Sequence, residues 1–121
     1  MNCSLPYVEG FDFEYAMEIF QDEEILKIIL NDFYMEIDEM REKLNGLFFH
    51  ISDEDNLSLY RMEVHALKST SASIGALLLS KQAEFLEKAA IDKDIEMIGL
   101  KHPQLIEDMA MCKERLAVIV H

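Results

Sequence analysis

The sequence predicts an all-α fold: an antiparallel, up-down four-helix bundle with a short additional N-terminal helix. Three observations carry this. Apolar residues recur at spacings of four and three over long stretches, the pattern of a helix with one buried stripe. Only four Gly and two Pro are present, too few for the turns of an all-β chain. No segment alternates apolar and polar residues with turn residues at hairpin distance. Half of the 121 residues are hydrophobic and mean hydropathy is +0.01, which suffices for one core. Residues 1–121 are therefore read as a single domain, with 1–9 an irregular lead-in and the bundle over about 10–119.

Each element has its own signals. Pro6 and Gly10 disfavour helix in the lead-in. Asp12 caps a short helix through Phe13, Ala16, Met17 and Phe20. Asp22 caps a longer one, with Glu23 and Glu24 in its first turn, where carboxylates complement the helix dipole. Its stripe is Leu26, Leu30, Phe33, Ile37, Met40 and Leu44, and Asn45-Gly46 is a natural stop. Residues 47–53 form a connection, and Ser52, Asp53 or Asp55 can cap the next helix. That helix carries Tyr60, Val64, Leu67, Ser71, Ile74 and Leu78 as its stripe. Ser80 caps a fourth helix with Ala83, Leu86 and Ala90 inward and Phe85 at its edge. Asp92 or Asp94 starts the last, through Ile95, Ile98, Leu105, Met109, Cys112, Leu116 and Ile119. Pro103 should kink or break it, because proline removes a hydrogen bond and clashes with the preceding turn.

Charge excludes several functions. With 24 acidic against 11 basic residues the net charge is −13, which repels phosphate backbones and anionic lipid. Binding of nucleic acid and direct membrane contact are not expected. No apolar run reaches the roughly 18 residues that span a bilayer, and the N-terminus lacks the pattern of a signal peptide. Cys3 and Cys112 form no CxxC pair and read as reduced thiols of a cytoplasmic protein. The acid is unevenly spread. Between Leu57 and Ala83 the only acid is Glu63, against Arg61, Lys68 and Lys81.

The helix within this acid-poor stretch has a second face. At 100° per residue, His65 falls nearly opposite the core stripe, among Arg61, Lys68, Ser69, Ala72, Ala76 and Leu79. The small side chains leave a low surface beside the imidazole, onto which another protein's backbone can close. Lys68, one turn away, supplies a positive charge within reach of a phosphate on the ring. An exposed histidine is in most proteins an ordinary surface residue, and Ala and Ser are also simply tolerable helix formers. His50, among apolar connector residues, His102, before Pro103, and terminal His121 have no such setting and read as surface or satisfied polar groups.

The run from His65 to Ala76, His-Ala-Leu-Lys-Ser-Thr-Ser-Ala-Ser-Ile-Gly-Ala, closely resembles the signature of histidine-containing phosphotransfer (HPt) domains. That signature is roughly H-x-L-K-G, small residues, then I/L-G-A; His65, Leu67, Lys68, Ile74, Gly75 and Ala76 match it. Gly10-Phe-Asp, Asp22-Glu-Glu before Ile25-Leu26, Phe33 and Phe85-Leu86-Glu87 extend the likeness over residues 8–118. Ser69 departs from it, standing where the family usually has Gly.

The resemblance implies a phosphorelay intermediate. His65 would accept a phosphoryl group on Nε2 from the phospho-aspartate of a receiver domain and pass it to another receiver's aspartate. Near neutral pH an imidazole is substantially unprotonated and nucleophilic, and phosphoryl transfer needs positioning and charge neutralisation, which Lys68 can supply. Arg61, Ser69, Ala72, Gly75 and Ala76 are the docking residues this implies. The partners would be response-regulator receivers and a hybrid sensor histidine kinase. No cofactor or metal of its own is expected, Mg²⁺ coming with the receiver. The chain lacks GxxxxGK[ST], so it is expected to be a carrier, not an enzyme. It would act in the cytoplasm, free or as the C-terminal domain of a membrane-bound sensor kinase. Two rivals are a phosphoacceptor domain fed directly by a kinase catalytic module and a helical docking bundle that transfers nothing. A metal-binding bundle fails on spacing: Glu63-Val-His65 gives only Glu-x-His.

Overall fold

The computed structural model describes residues 3–120, so His121 lies outside the described residues. Among them there are five helices and no strand: α1 (Phe13–Phe20), α2 (Glu23–Phe49), α3 (Glu54–Ser73), α4 (Leu77–Ile91) and α5 (Ile95–Leu116). Aspartates cap four of the five. Asp12 accepts from the Tyr15 amide, Asp22 from Glu24 and Ile25, Asp53 from Asp55 and Asn56, and Asp94 from Met97.

The long helices close into a ring: α2 packs on α3, α3 on α4, α4 on α5 and α5 on α2, while α1 lies against α2 and α3. One core fills the centre. Leu26, Leu30, Phe33, Ile37 and Leu44 enter from α2, and Tyr60, Val64, Leu67 and Ser71 from α3. Ser71, the polar member, donates its hydroxyl to the Leu67 carbonyl at 2.5 Å, so its burial leaves no donor unpaired. Residues 3–12 carry no helix, yet Val8 and Phe11 among them are buried in the same core.

Three boundaries differ from expectation. First, α2 does not stop at Asn45-Gly46 but runs to Phe49. The Asn45 side chain, instead of turning the backbone, accepts a hydrogen bond from His102 Nε2 at 2.8 Å, and Leu47 and Phe48 pack on the core. Second, Pro103 does not break α5, which is continuous from Ile95 to Leu116. Pro103 and Gly99 are both exposed, so the carbonyl deprived of its N–H faces water, while Ile98, His102 and Leu105 anchor both sides of the proline in the core.

The third difference bears on the site. Helix α3 ends at Ser73, short of the expected Leu78, and Ser80 caps nothing; Ala76 occupies the N-cap of α4 without a side-chain bond. Gly75 sits at φ +81°, its N–H bonded to the Ala72 carbonyl, and the Ala76 N–H bonds to Ser71. This is a Schellman stop with glycine in the left-handed position. The Gly75 carbonyl then accepts the Asp12 amide at 2.8 Å, tying α1 to the α3–α4 turn. A new helix resets the rotational phase, so Leu78 is 65% exposed and Leu79 only 2%, the reverse of the continuous-helix expectation.

Candidate functional site

Helix α3 presents His65 outward, with 59% of its side chain exposed, opposite the buried Val64, Leu67 and Ser71. Lys68 is half-buried one turn further on, and Ser69 is exposed. Ala72 is half-buried beside them. Arg61 is exposed one turn before His65 and pairs with no carboxylate among the described residues. Two expected members of this surface are not on it. Ala76 is 1% exposed, and Gly75 is buried against the backbone of Asp12, because the Schellman turn folds both inward.

Helix α4 supplies what the sequence reading missed. The carboxylate of Glu87, 15% exposed, meets both residues: Oε2 bonds His65 Nδ1, and Oε1 accepts from Lys68 Nζ at 2.6 Å. The helices come close because α4 opposes α3 with a small residue. Ser80 donates its hydroxyl to the Lys68 carbonyl at 2.8 Å, fixing the backbone that carries the lysine.

Electrostatics follow from these contacts. The Lys68 ammonium hydrogen-bonded to Glu87 holds its carboxyl below the usual carboxylate range; partial burial opposes this and the His65 bond adds to it. Glu87 is therefore ionised at neutral pH and can only accept. Nδ1 must carry the proton in that bond. In the neutral ring the lone pair is then on Nε2, the nitrogen turned away from Glu87. Glu63, the one acid of the acid-poor stretch, is matched by Lys43 of α2 at 2.6 Å, which removes its repulsion from the neighbourhood.

The arrangement is an exposed imidazole with one nitrogen held by a buried-edge carboxylate, the other free, and a lysine on the same carboxylate. The Hpt domain family matches the chain over residues 24–116, more than three quarters of its length. The chain belongs to this family. Searches among curated proteins and among solved structures returned no match. Hpt domains are helical bundles that carry phosphoryl groups on histidine in phosphorelays and interact with receiver domains and kinases of two-component systems.

The other histidines of this Hpt domain stand apart. His50 is exposed at the C-cap of α2. His102 is 2% exposed at one end of the core, stacked on Phe48 at 4.1 Å, its Nδ1 accepting from Tyr60 Oη at 2.8 Å. Burial pushes its pKa down to about 4. Among the described residues no group of three or more His, Cys, Asp or Glu side chains is disposed to hold a metal ion. Nor is any helix among them long and apolar enough to cross a membrane.

Proposed function

We infer that this Hpt domain is a phosphorelay intermediate that accepts a phosphoryl group on Nε2 of His65 from a receiver phospho-aspartate and hands it to another receiver's aspartate. The supporting observation is the Glu87 carboxylate on Nδ1. In the forward step the Nε2 lone pair forms the N–P bond while the P–O bond to the aspartate breaks, and the aspartate leaves as a carboxylate. The ring then bears a positive charge with its Nδ1 proton held by Glu87, which stabilises it. Handing on reverses these changes at the second aspartate.

Lys68 neutralises charge on the transferring oxygens, shifting its ammonium from Glu87 towards them. Arg61, Ser69 and Ala72 form the docking surface. Mg²⁺ comes with the receiver, and the chain contributes no cofactor. The ring of helix contacts and the short connections, 50–53, 74–76 and 92–94, support an antiparallel up-down bundle forming one domain. The setting is cytoplasmic, in a free carrier or as the terminal domain of a hybrid kinase.

The test is incubation with a phosphorylated receiver and Mg²⁺, and separately with a kinase catalytic module and ATP. Acid-labile, alkali-stable phosphate from the receiver supports the relay reading. Labelling by the kinase module alone favours the directly fed acceptor, and labelling by neither leaves a docking bundle.

A further inference from the structure

The opposite flank of α4 carries a second surface. Two cavities lie along the α4–α5 seam, about 430 Å³ between Lys81, Phe85, Leu100 and Lys101, and about 330 Å³ between Leu78 and Met111. Gln82 lines both. Leu78, Phe85, Leu100 and Met111 are large apolar side chains left exposed along this one groove. From Leu100 to Met111 it follows α5 for about 17 Å, three turns of helix.

Its charge sets it apart. Seven of the eleven basic residues pair with carboxylates, as the 24 acids make easy. Lys81 and Lys101, on the two walls of the larger cavity, pair with none among the described residues, and no carboxylate lines that cavity. The smaller one holds two carboxylates, both engaged: Asp108 accepts from Gln82 Nε2 at 2.6 Å and Gln104 Nε2 at 3.0 Å, and Glu9 pairs with Arg115 at 3.5 Å. Gln82 Oε1, where the cavities meet, is buried without a hydrogen-bond partner. A donor on an occupant would satisfy it.

We propose that the α4–α5 groove is a docking site for an acidic amphipathic helix of a partner protein, distinct from the His65 face. Apolar side chains of that helix fill the cavities at Phe85–Leu100 and Leu78–Met111, and its carboxylates meet Lys81 and Lys101. A second copy of this chain fits less well in a symmetric pairing, since it would set those lysines against each other. Phe85 and Glu87 point about 200° apart around α4, so the groove can be occupied while His65 is engaged. A partner held there raises the local concentration of whatever it brings to the histidine.

The test uses the whole chain, isotope-labelled, titrated with a stapled helical peptide of about 15 residues carrying a Leu/Phe stripe flanked by Glu. A counterpart with Lys in place of Glu is the control. The Glu peptide should shift the amides of Lys81, Phe85, Leu100 and Lys101 saturably and leave His65 unmoved. The Lys81→Glu/Lys101→Glu double variant, with its melt unchanged, should bind about tenfold more weakly. Equal binding of the Lys peptide overturns the proposal, as do shifts centred on His65 or none at about 1 mM peptide. So does movement of the same amides with protein concentration alone, which assigns the groove to self-association.

Discussion

Lys68 Nζ lies 2.6 Å from Glu87 Oε1, while the other oxygen of that carboxylate holds His65 Nδ1. One acidic side chain of α4 thus governs both the ring orientation and the resting position of the nearest cation. Removing it should free the imidazole to rotate and exchange tautomers. Glu87→Ala should slow phosphoryl acceptance about tenfold to hundredfold, a cost of one charge-assisted contact. Glu87→Gln, whose amide oxygen still accepts from Nδ1–H, should fall between. Nitrogen-15 shifts of the His65 ring read the tautomer directly. An unchanged tautomer and rate in Glu87→Ala would remove Glu87 from the site.

Phosphate should reside on His65 alone. His65→Gln should abolish acid-labile labelling, whereas His50→Gln should not. His102 is sealed at 2% exposure, so His102→Gln should lower stability yet label fully per folded molecule. Labelling that persists in His65→Gln would refute the assignment.

Lys68→Ala should reduce transfer more than stability. The lysine is outside the core, and its pair with Glu87 is partly solvated, so the fold should lose about 1 kcal/mol or less. Transfer should fall about tenfold to hundredfold, because the moving oxygens are anionic. Single-turnover assays beside a denaturant melt separate the two. Transfer at the wild-type rate would show that Lys68 stays with Glu87 throughout.

How far the site was legible from sequence depends on which information each residue carries. The caps Asp12, Asp22, Asp53 and Asp94 are local signals, since the side chain bonds amides two or three residues on; Asp12 and Asp22 were readable outright, and Asp53 and Asp94 as one among two or three neighbouring candidates. The outward phase of His65 followed from the stripe of its own helix. Gly75 was also readable as a helix stop, and treating α3 as continuous past it misplaced Ala76, Leu78 and Leu79. Glu87 was not readable as a site residue. Its own helix gives its phase, but only the packing of α4 on α3 puts it against a histidine 22 positions earlier. Asn45 misled for the same reason, its partner His102 being 57 positions away.

Gly75→Ala should be severely destabilising. A Cβ there would lie 2.2 Å from the Asp12 carbonyl oxygen, and φ is +81°. Backbone atoms cannot yield cheaply, so α1 must lift from the α3–α4 turn. A loss of about 2–4 kcal/mol is expected in a urea melt. A loss below about 1 kcal/mol, the ordinary cost of left-handed backbone alone, would mean the turn is not pinned to Asp12.

Acid should weaken the fold through His102. The ring's pKa falls from 6.5 to about 4 on burial, so the unfolded chain binds a proton that the folded chain refuses. Stability rises with pH wherever the unfolded state binds more protons. The contribution of neutral His102 is thus complete above about 6.5, declines as pH falls, and is gone below about 4. A shift of this size corresponds to about 3 kcal/mol, an upper figure because the core can open before the ring protonates. Burial is the cause, because a charged ring would lose its water at 2% exposure; the neutral ring meanwhile keeps both nitrogens paired, Nδ1 with Tyr60 and Nε2–H with Asn45. His102→Phe keeps the stack on Phe48 but cannot titrate. Urea melts between pH 7 and 4 should show the wild type losing stability faster than this variant, the gap closing as pH falls. Parallel slopes for the two proteins would show that His102 is as easily protonated in the fold as out of it.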